Sequence, residues 1–297
     1  MQVEKPRSGL SKATDAPETG AGISVVTPSR NMLSYLKCCV ASVRDQQDVT
    51  VEHLIQDACS TDGTVDWLAQ QPGLQWKSES DSGMYDAINR GLARSTGEIL
   101  GYLNCDEQYL PGTLAFVRRI FAEHPVDILF GSALLVDPQG GLVAFRKSYP
   151  ARWSFIATSH LYNLSCAMFF RRCVIADGSA FDSNYRSVGD KEFIVRKLRE
   201  GIASMHTSRI LSAFTMTGSN LGSGEAPLEE SRRFKESLPR FLWSLRLPLL
   251  ALQYTTKAIS GAYWTSMPIR YSIYTRDHLQ SRKDFESHVG SPKWPAG

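Results

Sequence analysis

The sequence predicts an α/β fold: a mostly parallel, Rossmann-like sheet flanked by helices, with a helical C-terminal extension. Three observations carry this. Short apolar runs alternate with stretches of helical periodicity from Ile23 to Phe121. Each run stops at a proline, an acid or an amide. And Asp57, Asp81 and Asp106 fall at such stops, where ligands bind in open parallel sheets.

The elements follow in order. Ile23–Pro28 is an apolar run closed by proline, suited to a strand buried on both faces. Leu33, Leu36, Val40 and Val43 recur at helical spacing, so a helix spans Asn31–Asp45. Val51–Gln56 is the second strand, ending at Asp57, and Ser60-Thr61-Asp62-Gly63-Thr64 combines turn and helix-cap chemistry. A short helix through Val65–Leu68 leads to a third strand, Leu74–Ser78. The loop and helix of 79–91 precede a fourth strand, Ile99–Leu103, and Pro111 opens a helix at its first turn. Asp127–Val136 and Leu142–Arg146 read as a hairpin, and Leu164–Phe170 as a strand. Asp190–Arg199 reads as a helix closed by Gly201, and Ile210–Met216 as the last strand. Thr217–Gly224 reads as a Gly/Ser-rich loop. Residues 1–22, rich in Ser, Thr, Gly, Pro and charge, read as a flexible leader. The division is thus leader 1–22, main domain 23–225 and extension 226–297.

Composition narrows the function. A net charge of +3 over 297 residues argues against a nucleic-acid partner. The six cysteines lack metal-binding spacing and are read as reduced, buried thiols of a cytoplasmic protein. No apolar run reaches the roughly 18 residues of a spanning helix.

The clearest stretch is Asp81-Ser82-Gly83-Met84-Tyr85-Asp86-Ala87-Ile88-Asn89-Arg90-Gly91, followed by Leu103-Asn104-Cys105-Asp106-Glu107. Carboxylates at the end of a buried strand are poor core material and good ligand material. Together with Ile23–Asn31, Gln56-Asp57, Thr96-Gly97-Glu98-Ile99, Phe169-Phe170-Arg171-Arg172, Phe181-Asp182, Tyr185-Arg186 and Gly189-Asp190, these pieces run in the order of a known family. Over roughly residues 23–222 the chain resembles the family 2 glycosyltransferases of GT-A fold, which move sugars from nucleotide-sugar donors in polysaccharide synthesis.

That resemblance implies roles. Thr27, Pro28, Arg30 and Asp57 would meet the nucleobase side of the donor. Asp81, Ser82, Gly83, Asp86, Asn89, Asn104 and Cys105 would line the rest of it. The plainer alternative for Asp86 and Asn89 is that they brace their helix. Asp106 stands in the second position of the Asp-X-Asp metal motif. It would hold Mg²⁺ or Mn²⁺ on the diphosphate, with Glu107 sharing the task because Asn104 replaces the first acid. Asp190 matches the catalytic base, which takes the acceptor proton; the alternative is an ordinary first-turn helix acid. His160, Arg171 and Arg172 rank below these, as do Ser219 and Asn220 in the Gly-rich loop.

The extension interleaves Tyr254, Tyr263, Trp264, Tyr271 and Tyr274 with Lys257, Arg270 and Arg276. Such a stretch suits peripheral contact with the inner face of the plasma membrane, next to a glycan or polyprenyl-linked acceptor. A helical layer packed on the sheet or on a second subunit is the alternative. Two other functions compete with transfer. A nucleotidyltransferase making nucleotide sugars would need a glycine-rich phosphate loop after the first strand, and Thr27-Pro28-Ser29-Arg30-Asn31 has no glycine. A non-catalytic nucleotide-sugar-binding protein of the same fold is favoured only by Asn104.

Overall fold

The computed structural model describes residues 22–176, 178, 180–218 and 225–292. The expected leader, apart from Gly22, and the loop residues Ser219 and Asn220 lie outside the described residues. Strands β1 (Ile23–Ser29), β2 (Val51–Asp57), β3 (Gln75–Ser78) and β4 (Ile99–Tyr102) pair in the order β3-β2-β1-β4, all parallel. Helices α1 (Leu33–Arg44), α2 (Thr64–Ala69) and α3 (Met84–Arg94) link them. The chain then runs through β5 (Glu107–Tyr109), α4 (Thr113–Glu123), β6 (Ile128–Val136), β7 (Leu142–Arg146) and α5 (Trp153–Thr158). It continues with β8 (Met168–Arg171), α6 (Gly189–Arg199) and β9 (Ser204–Thr215).

The sheet extends beyond β4 as β8-β6-β9-β5, with β7 pairing on β6. β1, β2, β3, β4, β6 and β9 run one way; β5, β7 and β8 run against them. This is the mostly parallel sheet the sequence predicts.

Alternation along β1 divides the core. Ile23 and Val25 join Cys39, Val43, Leu103 and Phe169 on one face, while Val26 joins Ile88, Leu92, Leu100 and Phe170 on the other. On that second face α3 lies directly on β1. A Cβ at Gly91 would stand 2.3 Å from Val26 Cγ1, so only glycine permits the approach.

Several expectations need correction. Pro111 precedes its helix, which starts at Thr113 after Gly112 in a left-handed turn (φ +68°). The strand expected at Leu164–Phe170 begins only at Met168, because Ser165–Ala167 form a 3-10 turn. Cys59 and Cys173 are exposed, although all six cysteines are free.

The extension is helical only in its first half: α7 (Glu225–Glu236), α8 (Phe241–Ser244) and α9 (Arg246–Ile259). It ends in an antiparallel hairpin, β10 (Ile269–Thr275) and β11 (His278–Ser287). The cause is period-two burial: Ile269, Tyr271 and Ile273 pack on Leu134, Val136 and Phe145. Arg282 of this hairpin forks onto Asp45 at the end of α1 (2.6 and 2.7 Å) and also donates to the carbonyls of Ser42, Tyr109 and Ser272. The extension is therefore part of the main body. No helix among the described residues is long and apolar enough to cross a membrane.

Candidate active site

Register puts the strand ends level. Ser29 pairs with Asp57, Asp57 with Ser78, and Val26 with Tyr102, so Arg30, Asp57, the 79–83 loop and Asn104 share one edge of the sheet. Beyond β1, Asn31 adopts a left-handed conformation (φ 52°), and its Oδ1 accepts from Thr61 N at 2.8 Å. Asp62 Oδ2 accepts from Leu33 N at 2.9 Å, so the β2 loop satisfies the first turn of α1. Two loops are thereby locked at the rim of the crevice.

Individual side chains divide into those facing the crevice and those holding it together. Thr27 belongs to the second group. It is fully buried, with Oγ1 2.9 Å from His53 Nε2, because it shares the parity of Ile23 and Val25 on β1. Pro28 is buried, and its carbonyl accepts from the Cys105 thiol at 3.3 Å, which ties the β1 and β4 ends together. Asp57 is fully buried; its carboxylate accepts from Ser60 N, Ser60 Oγ and Ser78 Oγ at 2.9, 2.5 and 2.7 Å. It brackets the β2 and β3 ends.

Asp86 and Asn89 are committed in the same way. Asp86 accepts from Ser82 N (2.9 Å) and pairs with Arg90 one turn on (2.8 Å). Both ends of the Asn89 amide engage the Phe181 backbone, at 2.6 and 3.0 Å. These two brace α3 rather than face a donor. Arg171 and Arg172 likewise spend their guanidinium groups on Val126, Phe121 and Gly97 carbonyls.

Asp81 and Arg30 stand at that strand-end edge, close enough for their charges to interact. Burial pushes the Asp81 carboxyl above the ordinary aspartate range, against the Gly83 N–H (3.0 Å) and the charges of Arg90 and Arg30. Gly83 (φ +137°) makes the turn into α3 that aims this N–H.

The Asn104–Glu107 turn departs from expectation at Glu107. Its carboxylate turns back to accept from Asn104 N at 2.7 Å and Asn104 Nδ2 at 3.3 Å. Glu107 thus orients Asn104 rather than offering itself as a ligand. Burial and the Asp106 charge both push its carboxyl well up. With Nδ2 fixed on Glu107, Asn104 Oδ1 is left buried without a hydrogen-bond partner.

That orphaned oxygen beside Asp106 fits a hard cation. Among the described residues no three His, Cys, Asp or Glu side chains form a metal cage. Mg²⁺ held partly by phosphates and water needs only one or two protein oxygens, and Mn²⁺ favours the same oxygen donors. Asp106 and Asn104 Oδ1 would be the oxygens to meet that need.

Asp190 lies in the first turn of α6, and its Oδ1 accepts from Tyr85 OH at 3.2 Å and Lys191 N at 2.7 Å. Burial raises its carboxyl above the ordinary aspartate value; the Lys191 N–H and the Tyr85 and Ser165 hydroxyls hold it back. Its charge contributes to the upward shift at Glu107, so Asp190 lies within electrostatic reach of that carboxyl. Gly189 permits the arrangement, since a Cβ there would stand 2.7 Å from the Tyr85 ring.

Two residues escaped the sequence reading. Tyr85 sat inside the 81–91 motif but carried no assigned role. Glu230 of α7 had no local signal at all. Its carboxylate accepts from the N–H groups of Arg186, Ser187 and Val188 at 2.7, 2.8 and 3.2 Å, fixing the loop that leads into α6.

Comparison with known proteins bears on the family and the fold. A family model described as glycosyl transferase family 2 matches residues 24–186. An uncharacterized glycosyltransferase of Mycobacterium tuberculosis is 33% identical over 180 residues, a match covering 59% of this chain and 68% of that protein. A PGL/p-HBAD biosynthesis glycosyltransferase of Mycobacterium bovis is 29% identical over 186 residues, covering 58% and 68%. Among solved structures, residues 1–349 of S. aureus TarS in complex with UDP-GlcNAc share the fold. The TM-score is 0.59 at 18% identity, over 83% of this chain and 76% of that one.

Proposed function

The chain belongs to glycosyl transferase family 2, and from that premise we propose an inverting transfer carried out by Asp190. The sugar passes from a nucleoside-diphosphate donor to a hydroxyl of a glycan or polyprenyl-linked acceptor in cell-surface polysaccharide assembly. The observation that carries this reading is the placement of Asp190, which is buried, held by Tyr85 and within electrostatic reach of Glu107. Membership of the family sets aside nucleotide-sugar synthesis.

The chemistry follows from the chain's own residues. Asp81, Arg30 and the turn at Gly83 line the donor crevice, with Asp57 and Cys105 holding its floor rigid. Asp190, as carboxylate, takes the proton of the acceptor hydroxyl. The acceptor oxygen bonds to the anomeric carbon from the face opposite the diphosphate. The bond from that carbon to the phosphate oxygen breaks, and its electron pair leaves with the nucleoside diphosphate. Asp106 and Asn104 Oδ1 would hold Mg²⁺ or Mn²⁺, which would supply charge stabilisation to the leaving diphosphate. The work is done at the cytoplasmic face of a membrane, in peripheral contact with it.

A thermal-shift screen of UDP-, GDP- and TDP-sugars with Mg²⁺ or Mn²⁺ tests the donor half of the proposal. The TarS complex makes UDP-sugars the first to try. One nucleotide class should raise Tm, and only with the divalent ion. Asp190→Asn should keep that shift and lose transfer by about 10²- to 10⁴-fold. A shift without transfer by the native chain would mark a binding protein instead. Normal turnover by Asp190→Asn would remove Asp190 from the mechanism.

A further inference from the structure

The exposed apolar surface of this protein is concentrated in one place. Nine of the ten exposed large apolar side chains among the described residues fall between Leu228 and Met267. Scattered exposed leucines need no explanation, but a concentration of them marks an interaction surface. Helix α9 shows it most plainly, because it is inside out. Gln253 is buried and donates to Tyr149 OH at 3.1 Å, while Leu247 (79% exposed) and Ile259 (83%) face outward. Pro248, Ala251, Leu252 and Thr255 complete that outer face, which carries no charge. An ordinary surface helix has the reverse pattern.

Charge says what covers it. The chain has 30 acids in 297 residues, yet none between residues 237 and 276. Arg240, Arg246 and Lys257 stand there on or beside α8 and α9, whereas Arg270 pairs with Glu286 and Arg276 lies over Tyr35. A second acid-free run, 138–176, carries Arg146, Lys147 and Arg152. The two runs meet where α5 packs on α9, and Lys147 Nζ donates to Trp264 O at 3.1 Å. The cations of Arg146, Lys257 and Lys191 crowd close enough to act together on His160, whose pKa burial and those charges lower to about 4. Cations beside an apolar face, on stretches of chain that carry no acid, match a surface that is apolar inside and anionic at its rim.

We propose that the outer face of α8 and α9, with Trp264 beside it, docks on an anionic phospholipid surface. This deepens the membrane-contact part of the proposed function and rests on it. The face leads toward the base: α9 packs on α5, and α5 packs on α6, which carries Asp190. An acceptor hydroxyl presented at a lipid surface would then arrive on the side of Asp190.

Because Arg282 and the hairpin are built into the core, removing the extension would damage the fold, so point variants are the test. The full chain is floated with vesicles of phosphatidylglycerol and phosphatidylcholine, or of phosphatidylcholine alone. It should co-float with the anionic vesicles and lose that binding at high salt. The double variants Leu247→Glu/Ile259→Glu and Arg240→Glu/Arg246→Glu should each reduce partition by about tenfold or more. Val289→Glu, an exposed apolar site elsewhere, should leave it unchanged. Each variant is checked for native Tm and for the nucleotide-sugar thermal shift, so a failed donor screen is told apart from failed docking. Absence of binding to anionic vesicles overturns the proposal, as does equal flotation by Leu247→Glu/Ile259→Glu. So does a native dimer that this variant turns into a monomer, for then a second copy covers the face.

Discussion

Tyr85 and Asp190 stand 105 positions apart in sequence, and the tyrosine hydroxyl donates to Asp190 Oδ1 at 3.2 Å. One belongs to the helix that follows the 79–83 loop, the other to the helix that carries the proposed base. The contact therefore couples the two halves of the site, and Gly189 leaves room for the ring. It also tunes the proposed base. Burial raises the Asp190 carboxyl, and the Tyr85 hydroxyl is among the groups holding it down.

Tyr85→Phe should move the acid limb of the kcat profile to higher pH. The base works as carboxylate, so activity is lost as pH falls through its pKa. Removing a donor to the charged form raises that pKa further. Donor KM should stay within about twofold, because the hydroxyl meets Asp190 and not the donor. The same raised pKa acts on stability in the opposite direction. In the window from the ordinary aspartate value up to the raised folded one, the folded state binds more protons, so stability falls as pH rises. An unmoved acid limb in Tyr85→Phe would show that Asp190 is not the titrating base.

Asp106→Ala and Asn104→Ala should both weaken divalent-dependent nucleotide binding, with Asp106 the larger loss. The acid supplies charge and oxygen; the amide supplies oxygen only. Isothermal titration of UDP or GDP with and without Mn²⁺ reads this directly, apart from turnover. Glu107→Gln should affect metal affinity less than Asp106→Ala, since Glu107 holds Asn104 at 2.7 and 3.3 Å. Equal losses at 106 and 107 would restore Glu107 as a ligand.

Much of the first half was legible because its signals are local. Apolar runs that stop at Pro28, Asp57 and Asn104 set β1, β2 and β4, and register then levels Asp57 with Ser29 and Ser78. What local signals do not carry is side-chain direction at a strand end. Thr27 has the parity of Val25 and so faces the core, a consequence of period two that composition hides. Asp86 shows the opposite case, since Arg90 one turn later marks it as a helix brace. The C-terminal hairpin was also present as alternation in Ile269-Arg270-Tyr271-Ser272-Ile273, but basic and aromatic composition was read as helix. Glu230 was beyond reach, because its partners lie 42 to 44 residues away and only packing brings them together.

Arg282→Ala should be among the more damaging single changes outside the site. The guanidinium is nearly buried, forks onto Asp45 and satisfies three carbonyls. Truncation strands Asp45, which retains only the Tyr274 hydroxyl at 2.9 Å. Because the Asp45 side chain keeps 32% of its exposure, the loss should fall between the roughly 0–1 kcal/mol of a surface pair and the roughly 3–5 kcal/mol of a buried one. Arg282→Lys should recover little, since an ammonium lacks the fork. Denaturant unfolding of the three proteins tests this, and a loss below about 1 kcal/mol in Arg282→Ala would reduce the pair to a surface contact.

Glu230 gives the sharpest separation between holding the fold and holding the base. Its carboxylate gathers three successive N–H groups at residues 186–188, two residues ahead of Asp190. Hydrogen bonds to a charged group contribute about 1.5–3 kcal/mol each, so their loss frees the loop that sets where α6 begins. Phe234 of the same helix is buried in the main core and is untouched by the change, so α7 should stay docked. Glu230→Ala is therefore expected to lower kcat by about tenfold or more, while donor KM and nucleotide affinity hold. Glu230→Gln keeps one acceptor oxygen and should recover part of the rate. A lower Tm with unchanged kcat would make Glu230 a structural clamp and nothing more. A fall in donor affinity equal to the fall in rate would place its effect on the donor crevice instead of on Asp190.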